Sequence, residues 1–183
     1  MNKKIRFGIL FVLLGNLVAM GTYPVQAAQN NMKIKGTLVN SPCVVLPENS
    51  KVEVDYGDIR LLDIYEPGFQ FPNEQFTLVL SDCDLTIAQK MKVKFSGTEN
   101  LQLPGSLALT GSDLNPGLGI FIELSDGTPM KINQFSSLMP ISKAGKNELQ
   151  FNSFIKATSD VVNNKQVKVG KISATATFIF EYE

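Results

Sequence analysis

The chain contains no histidine, no tryptophan and only two cysteines among its 183 residues. Without histidine it lacks the commonest metal ligand and the commonest general base at neutral pH. Its 17 acidic residues balance 17 lysines and arginines, and no basic block stands out. That removes the electrostatic footprint expected of a nucleic-acid or anionic-membrane binder. Also missing is any long apolar repeat at 3.6-residue spacing, so a helical bundle is excluded. Only Ile59–Tyr65 and Gln134–Lys143 offer room for a short helical turn.

What is present begins with a targeting pattern. Lys3, Lys4 and Arg6 precede a mainly apolar run from Phe7 to Met20, and Val25-Gln26-Ala27 closes it with small residues where a signal peptidase reads. The run is broken by Gly15 and Asn16 and falls short of the ~20 apolar residues of a membrane span. The expectation is a signal peptide over residues 1–27, which leaves a chain of one-domain size. Export favours pairing Cys43 with Cys83, since an oxidising compartment preserves disulfides. Closing a loop of roughly 40 residues is worth about 4 kcal/mol in the chain-entropy account.

The rest of the sequence alternates with a period of two. Gly170-Lys-Ile-Ser-Ala-Thr-Ala-Thr-Phe-Ile-Phe-Glu-Tyr-Glu183 puts Gly170, Ile172, Ala174, Ala176, Phe178, Phe180 and Tyr182 on one parity. Lys171, Ser173, Thr175, Thr177, Ile179, Glu181 and Glu183 occupy the other, so the pattern reads as one long strand with one buried face. Near the start, Met32, Ile34, Gly36 and Leu38 alternate with Lys33, Lys35 and Thr37 in the same way. A glycine on that apolar face weakens a strand unless something must approach closely. Further strands are expected at 43–46, 51–56, 76–81, 91–95, 119–124 and 149–157, separated by turn signals such as Glu66-Pro67-Gly68 and Asn115-Pro116-Gly117. Val167 and Val169 have the opposite parity to Ile172 onward, which places a bulge or turn at Gly170. Many short strands with turns between them argue an all-β sandwich.

Catalytic chemistry finds little support. Asp82 with Asp84, and Asp55 with Asp58, adjoin strand ends where carboxylates commonly face solvent. Gly117-Leu118-Gly119 leads into a strand and lacks the helix N-terminus of a phosphate cradle. No serine or cysteine has a histidine to activate it.

The two end segments resemble those of chaperone–usher pilins. That family carries a glycine fourteen residues from its end and a penultimate tyrosine, which Gly170 and Tyr182 match. Met32-Lys-Ile-Lys-Gly-Thr-Leu-Val-Asn-Ser-Pro-Cys43 resembles the family's donor strand leading to its first cysteine, and Cys83 matches the second. The ends look most like those of the minor tip-fibrillum subunits of type 1-like pili. The resemblance implies an incomplete immunoglobulin-like sandwich of six strands whose seventh is supplied in trans. It divides the chain into a signal peptide (1–27), a donor-strand extension (28–39) and a pilin domain (40–183). Met32, Ile34, Gly36 and Leu38 would be the donor residues; Gly170, Ile172, Ala174, Ala176, Phe178, Phe180, Tyr182 and Glu183 would form the groove strand. A periplasmic pilus chaperone would lend a strand and anchor on the carboxylate of Glu183. At an outer-membrane usher, a neighbouring pilin's strand would replace it, building a surface fimbria with no cofactor, nucleic acid or membrane span of its own.

The alternative is a self-contained secreted sandwich that binds a glycan or a protein. The absence of tryptophan leaves no obvious platform for stacking a sugar.

Overall fold

The computed structural model describes residues 35, 40–68, 70–110 and 115–183. The expected signal peptide and the donor residues Met32, Ile34, Gly36 and Leu38 lie outside the described residues.

The longest alternating segments become the longest strands. β1 (Gln70–Cys83) and β7 (Gly145–Ala157) pair antiparallel through Phe76↔Phe151, Leu78↔Leu149 and Leu80↔Asn147. β4 (Leu118–Leu124) joins the other side of β7, aligning Ile120 with Ile155 and Ile122 with Ser153. Two short strands, β3 (Leu107–Ala108) and β5 (Pro129–Met130), complete this sheet against β4. The second sheet has β2 (Lys90–Gly97) at its centre, between β6 (Met139–Pro140) and β8 (Ala176–Tyr182). Every one of these pairings is antiparallel.

The core lies between the sheets. Val93 and Phe95 of β2 meet Leu78, Ile120, Phe151 and Ile155 from the opposing sheet. Phe95 enters edge-on, its ring centroid 5.9 Å from Phe76 and 5.2 Å from Phe151, while Phe76 and Phe151 stack at 5.3 Å. Offset stacks and edge contacts of this kind suit the aromatic quadrupole. A smaller cluster surrounds the Cys43–Cys83 disulfide, with Leu80, Met91 and Ile141 buried beside it. Val44 exchanges two backbone hydrogen bonds with Ser81, both 2.8 Å, and Asp84 N donates to Pro42 O at 2.7 Å. The cysteine-bearing segment is therefore sewn to the end of β1 by main chain as well as sulfur.

Several expectations change. The described residues hold five longer strands and three two-residue pairings, β3, β5 and β6, which are too short to show as alternation. Residues 43–46 form only the Val44↔Ser81 bridge. The segment 51–56 forms no strand and has no ladder partner among the described residues, although the Tyr56 hydroxyl meets Ser153 Oγ. The final strand is regular over Ala176–Tyr182 and not from Gly170, since β2 ends at Gly97, opposite Ala176, and offers nothing further to pair with. Ile59–Tyr65 does contain a helical turn, α1 (Leu61–Ile64), but Gln134–Lys143 does not. There Phe135 bridges Lys94 and β6 follows, so pairing with β2 wins over local helix formation. A second helix, α2 (Ser159–Asn164), was not anticipated.

Candidate strand-accepting groove

β8 supplies the site. Its register with β2 runs Met91↔Tyr182, Val93↔Phe180, Phe95↔Phe178 and Gly97↔Ala176. Met91 and Val93 are fully buried, yet their β8 neighbours are not: Ala176, Phe178, Phe180 and Tyr182 are all only half-buried. The same holds upstream, where Ile172 and Ala174 are half-buried and the odd positions 171 to 183 are exposed. The expected alternation is thus present over the whole segment. Its apolar face packs against the core on one side and stays partly uncovered on the other.

The aromatic residues form a ladder along this face, with ring centroids of Phe178 and Phe180 5.8 Å apart and those of Phe180 and Tyr182 6.3 Å apart. Partial burial raises the Tyr182 phenol's pKa, because a phenolate would be poorly solvated there. Along its other edge β8 has no ladder partner among the described residues. A strand with an unused row of N–H and C=O groups beside a half-covered apolar face is a template for strand addition.

The two ends of the segment are held differently. At the far end, Glu183 N donates to Lys90 O at 2.8 Å, while Glu183 O accepts from Lys90 N at 3.0 Å and Gln89 N at 3.2 Å. Lys92 Nζ lies 3.5 Å from Glu181 and contacts the Glu183 carboxylate, and this pairing raises its pKa. At the near end there is no ladder. Ser173 O accepts from Thr110 N at 2.6 Å, and Asn115 clasps Lys168, donating Nδ2 to its carbonyl at 3.0 Å and accepting its N–H at 2.8 Å. A bend falls at Gly170, where the parity change placed one.

Glycine matters at a neighbouring position. A Cβ on Gly97 would sit 2.6 Å from Leu107 Cδ2 and 2.9 Å from Thr175 O, so only glycine lets β2 approach the entry to β8. Gly170 itself has nothing within 4 Å. Sequence reasoning also missed Asn115 as the clasp and Lys92 as the tie at the far end. The Asn-Pro-Gly turn signal marked Asn115's place but not its cross-chain role.

The acidic pairs organise loops. Asp84 Oδ1 accepts from Thr86 N and Oγ1 at 2.9 and 2.7 Å, which holds its pKa below the usual carboxylate range. Asp55 Oδ1 accepts from Gly57 N at 2.9 Å. Both are side-chain turns of the Asx type.

The described residues form an antiparallel sandwich whose last strand has a half-covered apolar face and one edge without a ladder partner among them. The fimbrial protein family model matches residues 32–183, and the chain belongs to that family. It is 31% identical to the fimbrial subunit type 1 of Salmonella typhimurium over 180 residues, covering 96% of this chain and 94% of that one. It is also 31% identical to the fimbrial adapter PapK of Escherichia coli over 169 residues, covering 86% and 90%. Among solved structures, the P pilus rod subunit PapA superposes with a TM-score of 0.67 at 22% identity, over 78% of this chain and all of that one. A type 1 fimbrial subunit and an adapter both stand among the relatives, so the likeness to tip subunits broadens to one with the family. The chain is a structural subunit of a chaperone–usher fimbria, exported to the cell surface.

Proposed function

We propose that this subunit is completed by another chain and in turn completes the next. The observation that carries this reading is the contrast within one sheet: Met91 and Val93 are fully buried while Phe178, Phe180 and Tyr182 beside them are half-covered. Residues 1–27 are removed on export, and 28–39 serve as the donor strand of the 40–183 domain. Met32, Ile34 and Leu38 fill a neighbour's groove, each worth roughly 1.5–3 kcal/mol when fully buried. Gly36 passes where the groove has no room for a side chain.

A periplasmic chaperone lends its strand first, reaching the Glu183 end, and an outer-membrane usher hosts the exchange. The role is structural and involves no catalysis. The Gln89 and Lys90 N–H groups already engage the terminal carbonyl, so the chaperone meets an end fixed in position.

Co-purification from periplasm tests this. The full chain is expected to travel with a pilus chaperone, and deletion of Phe178–Glu183 to abolish the association. Recovery of the full chain as a stable, chaperone-free monomer that ignores a peptide of residues 28–39 overturns the reading. Gly36→Arg is expected to block donation while leaving acceptance intact; normal polymerisation of that variant overturns the assigned register.

A further inference from the structure

The most exposed large apolar side chains among the described residues are Leu101, Val169 and Leu62, at 95%, 86% and 72% exposure. They are distant in sequence, but hydrogen bonds gather their segments at one pole of the sandwich. Asn100 Nδ2 donates to the carbonyls of Pro116 (3.1 Å) and Leu118 (2.7 Å), which ties the Leu101 loop to the start of β4. Asn115 clasps Lys168, the neighbour of Val169. Val167 N donates to Tyr65 Oη at 3.3 Å, fastening α1 and its Leu62 to the same segment. A small cleft lined by Leu109, Asn115, Val169, Gly170 and Ile172 opens there, where the apolar face of β8 begins. The disulfide pole is opposite: Tyr182, at the far end of β8, packs with the cluster around Cys43 and Cys83.

Chain length now constrains what can cover the apolar pole. Only Val39, Asn40, Ser41 and Pro42 separate Leu38 from Cys43. Five Cα–Cα steps span at most about 17 Å. A donor strand running antiparallel to β8, as every described pair in this domain runs, leaves the groove at the Gly170 end. With Leu38 seated at that end, the disulfide pole of the donating copy lies within that reach of Val169. On that pole Val44 and Ile87 are themselves exposed apolar side chains.

We propose that the apolar pole formed by Leu62, Leu101 and Val169 receives the disulfide pole of a second copy of this chain, the copy whose donor strand fills the groove. The inference rests on the groove reading and adds a contact between domain bodies. The contact is head to tail, with two different surfaces meeting, so it repeats along an open fibre.

The experiment compares two ligands for the full chain released from its chaperone: a synthetic peptide of residues 28–39, which has no body, and a second full subunit. Leu101→Asp and Val169→Asp, at exposed positions, are expected to bind the peptide as the parent does. Both are expected to assemble with whole subunits about tenfold more slowly or more weakly. Val44→Asp on the donating copy is expected to give the same defect, and adding it to Val169→Asp to give less than the product of the two. Parental assembly by the pole variants overturns the proposal. So does equal loss of peptide and subunit binding, which assigns those residues to the groove, or assembly of the parent with other pilins but never with itself. Failure of the parent to bind the peptide removes the groove reading, and this inference with it.

Discussion

At the scale of single residues, the disulfide and the close-approach glycine make the sharpest claims. Cys43 and Cys83 are buried, and their bond closes the chain between the first described segment and the end of β1. Replacing both with serine is expected to lower the stability of the peptide-complemented subunit by about 2–5 kcal/mol, read from chemical denaturation. Gly97 and Gly170 form a contrasting pair. Gly97→Ala drives a methyl into Thr175 O and Leu107, so it is expected to destabilise by about 1–3 kcal/mol. Gly170→Ala meets open space and is expected to leave folding stability within about 0.5 kcal/mol. A defect in assembly with preserved stability for Gly170→Ala assigns that glycine to the passage of a partner strand.

Among the elements, β8 depends on anchors outside itself. Asn115→Ala removes both hydrogen bonds that tie the exposed Lys168 to the domain. A loss of about 1–3 kcal/mol is expected, together with faster hydrogen exchange of Thr110 N as the Ser173 contact loosens. Amide exchange that is unchanged at Thr110 separates the clasp from the entry to the groove. The parity of 170–183, the apolar positions of β1, β2, β4 and β7, and the bend at Gly170 were legible because a half-buried strand writes its burial with period two. The point where the ladder starts was not legible, since it is fixed by where β2 ends. Nor was α2: Ser-Asp-Val-Val-Asn-Asn is poor in helix formers. Thr158 accepting from Val161 N at its start and left-handed Lys165 at its end hold it in place. The two-residue strands β3, β5 and β6 depend wholly on partners far away in sequence. The Leu62–Leu101–Val169 pole was invisible for the same reason, its members being brought together by Asn100, Asn115 and the Tyr65 hydroxyl.

For the whole molecule, the missing histidine becomes a statement about pH. No side chain of ordinary pKa changes charge between about pH 5 and 8. The complemented subunit is expected to show flat stability across that window. On the alkaline side, burial raises the pKa values of Tyr56 and Tyr182 above their ordinary 10.0. The fold favours their neutral forms, so this contribution is intact below pH 10 and is lost as pH rises through the raised values. Thermal unfolding scanned from pH 7 to 11.5 checks this, and Tyr182→Phe is expected to flatten part of the alkaline decline. On the acid side, Asp84, Asp126 and Glu148 have lowered pKa values from Thr86, Thr128 and Lys146 respectively. Their contribution is present above the ordinary carboxylate range and disappears as pH falls through the lowered values.

The placement of β8, from the apolar pole at its beginning to the disulfide pole at its end, also sets how tension would be carried. In the proposed head-to-tail arrangement, with neighbours at opposite poles, a pull on the fibre would run nearly parallel to this strand. The hydrogen bonds joining it to an inserted strand stand across that direction. They are loaded in shear, all together, and cannot be peeled open singly from one end. Under the proposed strand exchange, the four residues between Leu38 and Cys43 would tether a joint that resists traction best along the axis in which the fibre is stretched.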